Sequence, residues 1–415
     1  MRRGQRHVLT RRLRKKFSMS MKKLADHVYS VGVLNPGMRV FDIIMHAEYG
    51  TSYNAYLITG EKNVLVDTVL ESFFDEYLEN IRSIVDISKI DYLIVNHTEP
   101  DHSGSIAKLL ELNPNLVIYS TFAAKKNLSA IMNREFQSVV VKQGDRLDLG
   151  ERELEFIVAP LLHWPDTMFT WMPSEKILFT CDFLGCHFCE PTMTDTSVHY
   201  PEKYWDEFEN YYRCIMAPFG PYVLSGLDKI EELPAEVICT SHGPCLTDNI
   251  RKCKELYRSW STPALRPKKT FGILYASSYG YTEKLARAAA EELGKNDALD
   301  VRLINIVFEP FEKAAELVNR ADALLVGSCT INRDAPKIVW DVLASVDPIN
   351  TRAKPAGAFG SFGWSGEAVP MVKSRLEHLK FRFVGDGMRV NFMPTDDDLA
   401  AMRQYAGEVA AQIKS

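Results

Sequence analysis

Long apolar runs are missing from this sequence: no stretch approaches the roughly 18 to 20 apolar residues that a membrane-crossing helix needs. Cysteine is scarce, eight in 415 residues (Cys181, Cys186, Cys189, Cys214, Cys239, Cys245, Cys253, Cys329), and no apolar secretion signal precedes them. Reduced thiols are therefore expected. The C-x-x-C pair Cys186/Cys189 has no second pair to complete a tetrahedral zinc or rubredoxin-type iron site, so free thiols packed near a site are the expectation. Acid is absent from residues 1–23, which carry ten Lys/Arg; the rest of the chain holds 39 Lys/Arg against 54 Asp/Glu, a net −15. So acidic a body argues against a nucleic-acid-binding surface. The basic stretch, taken as residues 1–20, has three readings: an organelle-type presequence, a basic tail, or a start codon upstream of Met19 or Met21. A cytoplasmic protein is expected, or an organelle-matrix one if the presequence reading holds.

What is present is a globular composition, 46% hydrophobic and 25% charged, in a chain long enough for two cores. From about Val28 to Ile238, short strand-like runs (Arg39 to Ile44, Asn54 to Ile58, Asn63 to Asp67, Asp91 to Val95) alternate with helical patterns such as Phe73 to Ile84 and Ser105 to Leu112. Residues 138–160 read as consecutive strands with Gly-containing turns, so this block is expected to be a sheet sandwich covered by helices. "STPALRPKK" (Ser261 to Lys269) is polar with two prolines, and the linker is placed at 263–269. Beyond it the apolar runs at 270–276, 300–306, 322–328 and 354–361, separated by helical patterns, predict buried parallel strands with crossover helices. The expected division is 21–262 and 270–415.

Chemistry concentrates in "NHTEPDHSGS" (Asn96 to Ser105), where His97, Glu99, Asp101 and His102 follow an apolar strand. This loop is either a ligand cluster or a solvated turn in which Asp101 caps a helix starting near Ser103. Three more residues favour the ligands: His163, Asp182 and His242 each follow a strand-like run. Seven N/O donors exceed one tetrahedral ion and suit two ions about 3.5 to 4 Å apart that share a carboxylate. His187 is expected either to line the pocket or to be structural, and His46 is a possible outer donor.

These residues resemble the metallo-β-lactamase superfamily, and more closely its flavodiiron branch, because Glu99 stands where zinc hydrolases have a second histidine. A third carboxylate hardens the site and favours iron over zinc. The resemblance runs from about residue 22 to 415, with intervals of 60, 18 and 59 residues separating His102, His163, Asp182 and His242. It implies that His97, Glu99 and His163 ligate one iron, that Asp101, His102 and His242 ligate the other, and that Asp182 bridges them. The implied fold class is α/β plus α+β: an αββα metallo-β-lactamase-like sandwich followed by a flavodoxin-like doubly wound parallel sheet.

"YASSYGYTEKLA" (Tyr275 to Ala286) follows a buried strand and opens a helix, the setting of a backbone anion site. It resembles the phosphate loop of flavodoxins and implies FMN held by Ser277, Ser278, Tyr279, Gly280, Tyr281 and Thr282. Two later strand ends agree: Thr330, Ile331 and Asn332, and then Ser361, Phe362, Gly363, Trp364 and Gly366, where the aromatics can stack on an isoalloxazine. Cys329 stands where the family usually has proline.

The resemblance implies an oxidoreductase that reduces O2 to water, NO to N2O, or both, with oxygen slightly favoured. Reducing O2 to two waters takes four electrons, two from a flavin and two from an iron pair. It also implies a head-to-tail homodimer or dimer of dimers, because one chain's two sites lie on separate domains. An end at Ser415 is read as the minimal form, fed by an external donor such as rubredoxin, with neither nucleic acid nor membrane as partner. Two alternatives stay open: a zinc hydrolase fused to a flavodoxin-like carrier, and a non-catalytic electron-transfer or sensor protein.

Overall fold

The structure is a computed structural model and describes residues 22–414; the basic stretch discussed above lies outside the described residues. The chain divides between Pro263 and Ala264 into two compact units.

In the first unit a seven-stranded mixed sheet runs in the order Lys22–Ala25, Val28–Ser30, Tyr56–Ile58, Val64–Val66, Tyr92–Ile94, Val117–Ser120, Ser138–Val140. A five-stranded sheet runs Arg146–Asp148, Glu153–Val158, Met168–Met172, Ile177–Cys181, Val237–Thr240. Side-chain alternation builds the layers. Tyr56, Ile58, Val64, Val66 and Ile94 of the first sheet meet Leu154, Phe156, Met168, Ile177 and Phe179 of the second in one core. The alternate residues Leu57, Leu65 and Leu93 turn outward onto the helices Phe74–Arg82 and Ile106–Leu112. Ile157, Phe169, Leu178 and Ile238 turn outward onto Pro201–Tyr211, Gly220–Lys229 and Ile250–Ser261. This is the αββα sandwich. Residues 138–158 do supply consecutive strands, but they split between the two sheets, Ser138–Val140 going to the first.

One expected strand is largely a turn. Within Arg39 to Ile44 only Val40–Phe41 pairs, with Met45–His46, and Asp42 and Ile43 take φ of 47° and 68°. Ile43 and Ile44 are 94% and 76% exposed, so their apolar character reflects no core position.

In the second unit a parallel sheet runs Leu299–Asn305, Lys269–Ala276, Ala323–Ser328, Pro355–Phe362, with Arg382–Phe383 and Met388–Asn391 both pairing with the last. Numbered along the chain this is the 2-1-3-4-5 order of flavodoxin-like sheets. Helices Tyr281–Leu293 and Asp396–Ala410 cover one face, and Phe311–Arg320, Lys337–Ala344 and Ala368–His378 the other. The central strands are buried along their length, which is why they read as continuous apolar runs. The three loops that close the strands at 276, 328 and 362 leave the same edge of the sheet. Among the described residues no helix is long and apolar enough to cross a membrane.

Candidate di-iron and flavin sites

Strand Tyr92–Ile94 delivers the chain into a turn that becomes helical at Pro100, a residue suited to the first helical position because it has no N–H to leave unpaired. Asp101 and His102 therefore lie within the helix Pro100–Ser103, while His97 and Glu99 precede it. The loop is not a solvated turn: His97, Glu99, Asp101 and His102 are all buried. Two bonds to the His102 carbonyl, from the Thr68 amide (2.9 Å) and hydroxyl (2.6 Å), fix the turn. Asp182 follows strand Ile177–Cys181 and His242 follows Val237–Thr240. His163 lies further out, on a loop past the end of strand Glu153–Val158.

These seven side chains converge in two groups about Asp182. On one side His97 Nε2 and His163 Nε2 lie 3.2 and 3.1 Å from Glu99 Oε2, and each is 3.5 Å from Asp182 Oδ2. On the other, His102 Nε2 and His242 Nε2 lie 3.3 and 3.2 Å from the two Asp101 oxygens, and 3.0 and 3.5 Å from Asp182 Oδ1. Each oxygen of Asp182 thus faces one group. Two ligands about 2.1 Å from a shared ion stand about 3.0 to 3.4 Å apart at ordinary coordination angles, which is the spacing seen. Both Asp101 oxygens, Asp182 Oδ1 and the Nε2 atoms of His102, His163 and His242 are buried without hydrogen-bond partners. Buried orphan acceptors aimed at common points are costly unless a cation receives them.

The electrostatics agree. Burial opposes charge on His102, yet Asp101 and Asp182 outweigh it and raise the imidazolium to about 9. Burial likewise opposes charge on Asp182, but the surrounding histidines, His102 foremost, hold it well below the usual carboxylate range. A field that favours protons on these imidazoles also favours metal cations in their place, with the protons released on binding.

In the second unit, Gly280 takes φ 80° with open space where a side chain would be, and opens the 13-residue helix Tyr281–Leu293. Its left-handed conformation turns the loop's amides outward at the helix's positive end. The hydroxyls of Ser277 and, on the third loop, Ser365 are buried without partners. Thr282 does not face outward: it is buried, and its hydroxyl lies 2.8 Å from Ser361 Oγ and accepts from the Ser361 amide, tying the first loop to the third. Ser278 Oγ lies 3.4 Å from Cys329 Sγ, so the residue found where proline is usual joins the first and second loops. Tyr279 and Trp364 are 85% and 76% exposed, and Ile331 and Asn332 are also exposed. The Arg333 guanidinium stands 5.8 Å from the Trp364 ring. At Gly366 a β-carbon would come within 2.9 Å of the Phe362 ring, so any side chain there would have to push that ring aside.

Comparison with known proteins agrees with both sites. The family model described as ODP family beta lactamase matches residues 51–243, and that of flavodoxin matches 273–405. A flavo-diiron protein of Clostridium acetobutylicum is 48% identical over 397 residues, covering 94% of this chain and 99% of that one. The chain belongs to the flavodiiron proteins. The anaerobic nitric oxide reductase flavorubredoxin of Salmonella typhi is 34% identical, over 88% of this chain and 76% of its own length. Among solved structures, the rubredoxin oxygen:oxidoreductase of Desulfovibrio gigas matches with a TM-score of 0.65 and 28% identity, over 95% of this chain and 100% of that one.

As a flavodiiron protein the chain is an oxidoreductase whose cofactors are FMN and a di-iron centre, and the zinc hydrolase and non-catalytic readings fall away. Both sites fit their groups: the orphan donors and acceptors suit two cations, and the open Gly280 loop with the unpartnered buried hydroxyl of Ser277 suits a phosphate.

Several contacts around the flavodiiron cluster were not foreseen in sequence. His97 Nδ1 lies 3.3 Å from Asp166 Oδ2, a residue 69 positions away. His242 Nδ1 donates to the Ser52 carbonyl at 2.7 Å. Thr51 Oγ1 sits between His187 Nδ1 (2.9 Å) and His242 Nδ1 (3.1 Å). His187 is fully buried, 4.4 Å from the His242 ring, and burial together with the nearby His242 keeps it neutral. Asp42 is exposed in the turn, yet its carboxyl is raised above the usual range by partial burial and by the charge of Glu99. Only its neighbours Glu99, Asp101 and His163 make it part of this site, and no motif marks it. His46, for which an outer-donor role was one reading, is exposed in the hairpin. All eight cysteines are free.

Proposed function

We propose that this flavodiiron oxidoreductase reduces O2 to water, NO to N2O, or both, with oxygen ahead. In this reading His97, Glu99 and His163 hold one iron, Asp101, His102 and His242 the other, and Asp182 both. The division of the two Asp182 oxygens between the two groups is the observation that carries it. When bound, FMN supplies two electrons and the iron pair two more, enough for four-electron reduction of O2.

The chain's own residues provide the surroundings. Three buried carboxylates, Glu99, Asp101 and Asp182, balance most of the charge of two divalent cations and stabilise their more oxidised states in a poorly screened interior. Trp164, edge-on to His97 with ring centroids 5.1 Å apart, and Phe41 and Tyr211 around His187 keep bulk water from the cluster walls. In the second unit Ser277, Ser278, Tyr279, Gly280 and Tyr281 would enclose the FMN phosphate, with Thr282 behind them tying the loop to Ser361. The exposed Trp364, with Phe362, Gly363 and Gly366 shaping its loop, would cover the ring. Thr330, Ile331, Asn332 and Ser361 complete the cradle.

We place the working unit as a head-to-tail dimer, or a dimer of dimers, that receives electrons from a small external donor such as rubredoxin. Support for oxygen comes from the Desulfovibrio gigas neighbour, named for that substrate and matched over its full length. Support for NO comes from the Salmonella relative. Mixing the reduced protein anaerobically with O2 and with NO, while following flavin absorbance, separates them. Faster reoxidation by O2 is expected, and the reverse order would make this a nitric oxide reductase.

A further inference from the structure

The cluster histidines are not backed alike. The ring of His242 leans on neutral groups, donating to the Ser52 carbonyl and lying near the Thr51 hydroxyl. His102 Nδ1 is buried without a partner. His97 alone of these three faces a carboxylate: its Nδ1 stands 3.3 Å from Asp166 Oδ2, and both residues are 0% exposed.

Asp166 is itself firmly held. Its Oδ2 accepts from the Thr98 amide (2.8 Å) and hydroxyl (2.7 Å), and the Thr98 hydroxyl accepts from Asn127 Nδ2 (2.9 Å). The Asp166 carbonyl accepts from the Thr121 hydroxyl at 2.9 Å. Such bonds fix the carboxylate in one place and so fix the imidazole that it meets. A carboxylate on Nδ1–H keeps the proton there, leaves the Nε2 lone pair free for a cation and makes the ring a stronger donor. It also adds a full buried negative charge to one side of the cluster, where screening is weak.

We propose that Asp166 is a positioning residue that makes the side of the cluster formed by His97, Glu99 and His163 the tighter and more electron-rich of the two metal sites. This rests on the ligand assignment proposed above, and it makes the two sites unequal although each has two histidines and a carboxylate of its own.

The test is an anaerobic titration of the full-length, metal-stripped protein with ferrous iron against a chromophoric chelator, for the wild type and for Asp166→Asn. In Asp166→Asn one binding step is expected to weaken by about 10- to 100-fold while the other is unchanged, with FMN content and circular dichroism as in the wild type. Asp166→Glu, which restores the charge, should recover part of the loss. Equal weakening of both steps, or of neither, would overturn the proposal. A wild-type chain that takes up fewer than two irons would overturn the ligand assignment itself, an outcome read before any variant is compared. Should Asp166→Asn fail to fold, proton NMR of the zinc-loaded wild type decides. One ligand imidazole Nδ1 proton should lie well downfield of the others and exchange slowly, and its absence overturns the proposal.

Discussion

Asp182 is the one side chain that both halves of the cluster share, with one oxygen turned to His97 and His163 and the other to His102 and His242. Replacing it with alanine removes a ligand from each side at once and leaves four buried imidazoles facing two carboxylates. Iron in Asp182→Ala is therefore expected to fall from two per chain toward none, with FMN retained, when both are quantified in the purified protein. Retention of one tightly held iron would show that the halves are independent. A structural counterpart is Asp195, whose carboxylate accepts four bonds, from the amides of Thr247 and Asn249 and from their side chains. Asp195→Ala should cost on the order of 3 kcal/mol in denaturant unfolding, because these donors are left partly buried and unpaired. The seven side chains that converge in the cluster were legible in sequence because they follow strands, and strand ends project side chains from a fixed edge. Asp166, Thr51 and Asp42 were not, since they reach the cluster only when segments far apart in sequence pack together.

Elements, more than single residues, make the flavin site. The loop between strand Lys269–Ala276 and helix Tyr281–Leu293 needs Gly280 at φ 80°, where a β-branched residue is strained by about 1 to 2 kcal/mol. Gly280→Val should weaken FMN binding measurably in a fluorescence titration while iron content stays unchanged; unaltered affinity would remove this loop from the phosphate site. The central parallel strands of this unit were plain from sequence because both faces are covered and nearly every position is apolar. The loop's internal bonding was not: Thr282 reads as an outward donor, yet the fold turns it inward onto Ser361. The stretch from Arg39 to Ile44 fails in the opposite way. Its apolar residues imitate a strand, but Ile43 and Ile44 stand exposed at a hairpin tip.

At the scale of the molecule, two units with separate cores carry the two cofactor sites, and the proposed head-to-tail dimer is what joins their chemistry. Mixing iron-deficient Asp182→Ala with Gly280→Val from which the flavin has been removed, dissociated and reassociated together, should restore turnover that neither preparation has alone. If the mixture stays inactive while both variants form dimers, flavin and iron of different chains do not cooperate. In the proposed cluster two irons share Asp182. Mössbauer spectroscopy of the protein loaded anaerobically with isotopically enriched iron, before and after oxidation, addresses this sharing most directly. Two irons per chain, magnetically coupled through the shared carboxylate, are expected in the wild type, and almost no iron signal in Asp182→Ala. Two uncoupled iron signals in the wild type, or a site that retains zinc and refuses iron, would contradict it.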